Sequence, residues 1–207
     1  MPLATYTAAM TRTQRWTMVA VILGSSIVFL DGTVVNVALR TLGEDLDASL
    51  AELQWITNGY LLSLAGLILL GGSLGDRFGR RRVFVVGTVW FATASLVCGI
   101  APTPPVLIVA RVLQGIGGAL LAPGSLAMIQ GAFEPDSRAR AIGAWSGLGA
   151  IAAAVGPFVG GALVQFASWR WIFLINLPLA VLTVLIAQRW VPETRDPRAP
   201  GRFDLPG

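Results

Sequence analysis

The sequence predicts an all-α membrane protein of six transmembrane helices, and three observations carry that prediction. Of 207 residues, 55% are hydrophobic and 13% charged, with a mean hydropathy of +0.71; a soluble domain of this size would leave much of that apolar surface wet. Six apolar runs each reach the roughly 20 residues that a helix needs to cross a hydrocarbon core of about 30 Å. The arginines fall in the gaps between those runs. Strand-type alternation is absent, which argues against a β-barrel.

The elements follow in order. Residues 1–15 precede the first span and bring Arg12 and Arg15 up to a membrane face. They resemble the charged start of a signal peptide, but the apolar run continues too long and lacks a small-residue cleavage site, so it is read as a retained span over 16–39. An acidic loop with Glu44, Asp45, Asp47 and Glu52 leads to span 2, over 53–74. Gln54, Trp55, Asn58 and Tyr60 at its start suit an interfacial aromatic belt better than substrate contact, although Trp55 and Tyr60 are also candidates to line a cavity. The stretch Gly72 to Arg82 then places a tight charged turn before span 3, over 83–101. Gly75 and Gly79 there allow close or positive-φ backbone, and Asp76 is placed to accept the free N–H groups of the next helix. Span 4 covers 106–129 and span 5 covers 141–166. Span 6, over 171–189, begins with Trp169 and Trp171, expected at the headgroups, and Asn176, expected to bond across helices. Residues 190–207 are rich in Pro and charge and read as a linker that stops as though a further span should follow.

Arginine counts set the orientation. Twelve of the fifteen basic residues lie on the faces shared by both termini, two on the opposite faces and Arg111 inside span 4, so both termini are expected in the cytoplasm. The formal charge of +4 belongs to these membrane-face clusters and not to a soluble basic surface, so no nucleic-acid partner is expected. No histidine is present, which removes histidine metal sites and relays, and without lysine there is no phosphate-binding loop for ATP. Neither a metal nor a cofactor is expected, nor an enzymatic activity. Cys98 is alone and reads as a small buried residue.

Asp31 is the only carboxylate within any span, and burying such a charge costs about 2.5–3.5 kcal/mol on translocon scales. At about 1.5 Å per residue it sits about 12 Å inside the outer face, with Arg111 about 8 Å inside the same face. A structural ion pair and a functional pair are both open at this point. Burial and a neighbouring guanidinium act in opposite senses on a carboxylate's proton affinity, so moving the arginine changes it. In span 5, Ala152, Gly156 and Gly160 fall on one helical face, where small residues admit a neighbouring helix, and Pro157 removes a backbone hydrogen bond. Glu134 or Asp136, between spans 4 and 5, is expected to pair with one of Arg80 to Arg82 and form a latch.

Several of these strings match known signatures. Gly72-x-Leu74-Gly75-Asp76-Arg77-x-Gly79-Arg80-Arg81 closely resembles the motif between spans 2 and 3 of the major facilitator superfamily of transporters. That resemblance implies one half of the fold, a 3+3 inverted repeat of six spans, with the substrate site between this half and a C-terminal half. The missing half would belong to the same chain or, in a half-size protein, to a second protomer. Leu30-Asp31-Gly-Thr33-Val-Val-Asn36 looks like span 1 of the fourteen-span drug:proton antiporters of the EmrB/QacA type, where the acid is linked to proton exchange or cationic drugs. Arg111-Val-Leu-Gln114-Gly115 is similar to the family's span-4 signature, with the arginine linked to proton coupling. Gly156-Pro157-x-x-Gly160-Gly161 resembles its antiporter motif, with Ala152 where a glycine is usual, and Arg40 replaces the proline that often ends span 1. The span-6 string Trp169 to Pro178 also looks like the fourteen-span family, and Asn176, with Asn36 of span 1, is a candidate to line the cavity.

The resemblance implies a multi-pass protein of the plasma (inner) membrane that exports small hydrophobic or cationic compounds in exchange for protons. Two other readings stand beside it. A nutrient symporter or uniporter half is disfavoured by the span-5 string, and a non-transporting scaffold or inactive remnant is suggested by the missing half.

Overall fold

A computed structural model of the chain describes residues 10–195. Its helices are Arg12–Leu46 (α1), Leu50–Phe78 (α2), Arg80–Gly99 (α3), Pro104–Ala132 (α4) and Pro135–Phe166 (α5), followed by Trp171–Leu174 (α6) and Asn176–Trp190 (α7). With α6 and α7 forming one span, six are long and apolar enough to cross a membrane. Most outrun the ranges expected from hydropathy because their starts are set by caps instead of apolar content. Thr11 with Gln14 and Ser49 with Glu52 form capping boxes, and Pro104 and Pro135 open α4 and α5. A 29-residue helix such as α2 is about 44 Å long and so projects beyond a 30 Å hydrocarbon layer.

The pattern of helix contacts has an internal symmetry. α1 packs on α5 as α2 packs on α4, and α1 packs on α7 as α3 packs on α4. Exchanging the first three spans with the last three maps each contact onto its counterpart, which is the relation an inverted repeat imposes. Glycines make the close approaches. A Cβ at Gly117 of α4 would stand 2.7 Å from the Phe91 nitrogen of α3, and one at Gly160 of α5 would stand 2.6 Å from Val34 Cγ2 of α1. Gly156 meets Thr33 and Leu30 of α1 in the same way. Ala152 is half-buried, Gly161 is only in ordinary contact with Val37, and Pro157 lies within an unbroken helix. Lipid offers no hydrophobic drive between helices, so close approach over small residues supplies the packing.

The two ends of the bundle are held differently. At the end bearing the termini, Trp16 stacks on Trp190 with ring centroids 4.3 Å apart, and Gln14 donates to the Ala132 carbonyl at 3.1 Å. At the other end, Asp45 accepts from Trp169 Nε1 at 2.9 Å and from Arg170 at 2.8 Å, tying α1 to the start of the sixth span. Trp169 is therefore 2% exposed, a core residue and not the headgroup anchor expected, while Trp171 is exposed.

The charged hairpin is tighter than the sequence suggested. Gly72, Gly75, Asp76 and Arg77 are still within α2, and the turn is reduced to Gly79, whose φ of 113° disfavours any side chain. Asp76 does not cap α3; it accepts from Arg80 Nε at 2.9 Å one helical turn on, while Arg80 also donates to Ala127 O of α4 at 3.2 Å. The capping carboxylate is Glu193, which accepts from the backbone N–H groups of Arg81 at 3.1 Å and Arg82 at 3.2 Å. It also lies 3.6 and 3.7 Å from their side chains. The latch expected from Glu134 or Asp136 is thus corrected. Glu134 is the N-cap residue of α5, Asp136 sits in its first turn, and both are exposed. Residues 191–195 form a clasp over α3 where a linker was expected, whereas 1–9 and 196–207 lie outside the described residues.

Two outcomes follow for stability in detergent. Replacing Glu193 by Ala removes the α3 cap and should cost about 0.5–2 kcal/mol, seen as a lowered thermal midpoint, whereas Asp136→Asn should leave it unmoved. Gly117→Val drives a side chain into the Phe91 backbone and should cost about 1–3 kcal/mol or prevent folding, measured by the yield of monodisperse protein.

Candidate functional site

Asp31 projects from the middle of α1 toward the interior of the six helices, not toward an open face, and is fully buried. Arg111 of α4, 1% exposed, meets it with Nη1 at 2.5 Å from Asp31 Oδ2. The second carboxylate oxygen is also served. Gln114 Nε2, one turn beyond Arg111, donates to Oδ1 at 2.8 Å, and Asn176 Nδ2 at the start of α7 donates to it at 3.0 Å. Such satisfaction is what makes a buried carboxylate tolerable.

The guanidinium is held from every side. Nη1 also donates to Gln114 Oε1 at 2.6 Å, and Nε donates to the Ile56 carbonyl of α2 at 3.2 Å. Its carbon lies 4.1 Å from the centroid of the Tyr60 ring and 5.7 Å from that of Phe173, distances at which a ring face attracts a cation. Ser95 of α3 closes the cluster, accepting from Gln114 at 2.8 Å and from Asn176 at 3.4 Å, and Cys98 donates to Gln114 Oε1 at 3.5 Å. Both three-span repeats contribute, and α1 and α4, their first helices, supply the charges.

Of the residues singled out in the sequence, the structure therefore brings together Asp31, Arg111, Gln114, Asn176 and Tyr60. Tyr60 is 2% exposed and is no belt residue; its hydroxyl donates to Val28 O at 3.4 Å. Trp55 is exposed and apart from the cluster. Asn36 lies on the exposed side of α1, where Nδ2 donates to Gly32 O at 3.4 Å. The sequence reading missed Ser95. Its signal was faint: one of three hydroxyls in an apolar span, with Thr88 and Thr93, one turn before Cys98.

The charged pair does not line an open hollow. A cavity of about 670 Å³ lies between α1, α2, α4 and α5, bordered by Phe29, Leu69, Asp76, Pro123 and Trp145 among others. Phe29 and Asp31 are two residues apart, about 200° around a helix, so α1 shows an aromatic side to the cavity and an acidic side to the interior. Trp145 Nε1 donates to Ser25 Oγ at 2.9 Å, and Ser25 donates to the buried Ser125 at 3.0 Å, which fixes the indole in the wall. The arrangement puts an apolar, aromatic wall on one side of α1 and a sealed ion pair on the other.

Comparison with known proteins agrees with this architecture. The Major Facilitator Superfamily profile matches residues 21–204. The chain is 42% identical over 92% of its length to the tetracenomycin C resistance and export protein of Streptomyces glaucescens, covering 36% of that protein. It is 44% identical over 93% of its length to the puromycin resistance protein pur8 of Streptomyces alboniger, covering 38% of it. The methylenomycin A resistance protein of Bacillus subtilis is 40% identical over 83% of the chain and is covered over 37%. The chain thus spans little more than a third of the length of these relatives. Among solved structures, the inward-open xylose transporter XylE of Escherichia coli superposes with a TM-score of 0.73 at 18% identity, over 86% of this chain and 48% of that one. A bacterial homologue of the lysosomal transporter Spinster gives 0.71 at 20% identity, over 96% and 48%. These two share the fold. With six apolar helices, an internal repeat and a matching profile over most of its length, this multi-pass membrane chain belongs to the major facilitator superfamily of transporters.

Proposed function

We propose that the chain supplies the N-terminal half of a proton-coupled exporter of hydrophobic or cationic drugs, working with a C-terminal half in the plasma membrane and with both termini in the cytoplasm. The observation that carries the proposal is the sealed Asp31–Arg111 pair, a carboxylate held against a guanidinium in the interior of the six helices. Protonation of Asp31 removes one charge of the pair and frees Arg111 to lean on Gln114, the Ile56 carbonyl and the Tyr60 ring. The ionic contact between α1 and α4 is thereby lost, which is the elementary step of a switch between two helix arrangements.

Support for drug export comes from the relatives, whose names describe resistance and export, and from the apolar cavity beside Phe29 and Trp145. The arginine-rich faces support the orientation. In this reading Gly72, Gly75, Asp76, Arg77, Gly79, Arg80 and Arg81 form a cytoplasmic gating clasp, completed by Glu193 in place of Glu134 and Asp136. Ala152, Gly156, Pro157, Gly160 and Gly161 give α5 a surface on which α1 can shift.

In vesicles carrying the full-length protein, Asp31→Asn should lower proton-driven dye efflux at least tenfold; undiminished efflux would remove Asp31 from the coupling. Phe29→Ala should raise the apparent KM for an apolar dye several-fold while leaving the pH dependence unchanged, and an unaltered KM would place substrate elsewhere.

A further inference from the structure

We propose that Asn176 is the hydrogen-bond acceptor for the proton that Asp31 carries, making the break between α6 and α7 part of the proton site. This rests on the reading of Asp31 as the protonated group and adds a residue from the sixth span to it.

As the site stands, every group around the carboxylate is a donor. Arg111 serves Oδ2, and the amide nitrogens of Gln114 and Asn176 serve Oδ1. This set fits an ionised acid. When a proton from bulk water binds Oδ1, an O–H bond forms and no other bond breaks. The carboxylate charge is cancelled and Arg111 keeps its own proton. Asp31 then becomes a donor that needs an acceptor, and a buried hydroxyl without one is costly.

The available acceptors are few. Gln114 Oε1 is already engaged by Arg111 at 2.6 Å and by Cys98 at 3.5 Å. Asn176 is fully buried, yet its Oδ1 has no hydrogen-bond partner. A half-turn of the amide about Cβ–Cγ exchanges Oδ1 with Nδ2 in nearly the same volume. It places the oxygen where the nitrogen now stands, 3.0 Å from Asp31 Oδ1. Ser95 Oγ, now an acceptor 3.4 Å from that nitrogen, can turn its hydroxyl to donate to the arriving oxygen.

The remaining titratable groups facing Asp31 are Arg111 of α4, Tyr60 of α2 and Cys98 of α3, all donors in this arrangement. α6 and α7 bring Phe173 and Asn176, and α5 carries no titratable side chain between 141 and 166. Asn176 is therefore a positioning residue with two settings, donor to the ionised acid and acceptor from the protonated one.

The test is infrared difference spectroscopy of the full-length protein in lipid as the pH is lowered. The wild type should gain a carboxylic acid C=O band that Asp31→Asn loses. In Asn176→Leu that band should move to higher wavenumber, because the acid's O–H has lost its acceptor. A band at the wild-type position would overturn the role of Asn176 while leaving Asp31 as the proton site. A band that survives Asp31→Asn removes the proton site itself and this inference with it. Should Asn176→Leu not fold, wild-type protein labelled with isotopic asparagine decides the matter. An asparagine side-chain carbonyl shift should accompany acidification and vanish in Asp31→Asn, and its absence would overturn the proposal.

Discussion

A carboxylate and a guanidinium removed from water have to satisfy each other, and the structure is arranged around that requirement. Breaking a buried pair by removing one partner typically costs about 3–5 kcal/mol, because the survivor is left charged and unpaired. Here the survivor would also strain its neighbours. Gln114 bonds to both members, Asn176 and Ser95 join from other spans, and Tyr60 and Phe173 cover the guanidinium. The pair thus determines how five of the six spans face one another.

The glycines make this geometry reachable. Gly156 and Gly160 let α5 lie against α1, while Gly87 and Gly117 let α3 and α4 come within backbone contact. Gly117 of α4 meets the Phe91 backbone of α3, while Gly156 and Gly160 of α5 receive the Thr33 and Val34 side chains of α1, and other faces of α1 and α4 serve two surfaces. One surface is the sealed polar cluster. The other is the aromatic wall of Phe29 and Trp145, on the far side of the same α1 helix. The clasp of Glu193 on α3 holds the end that carries the termini without touching either surface.

Much of this was legible in the sequence. The number of spans came from hydropathy, and Asp31 and Arg111 stood out because charge in an apolar span is rare and their depths matched. Helix ends were less legible, since Thr11 and Ser49 cap through local hydrogen bonds that a hydropathy profile does not register. The partner of the arginine cluster was misassigned for a different reason. Glu193 is about 110 residues from Arg81 and reaches it only because the sixth span returns beside the third. Tyr60 and Trp169 were read as interfacial because aromatic residues near span ends usually are; tertiary packing buried both. Ser95 gave almost no signal, as its role exists only once four helices converge.

The dependence of the fold on mutual satisfaction of the two charges can be measured directly. Thermal unfolding of Arg111→Gln should show a large loss of stability, and adding Asp31→Asn to the same protein should restore much of it by neutralising the stranded carboxylate. If instead the two losses simply add, the charges are independent of one another and the interior is organised by something else.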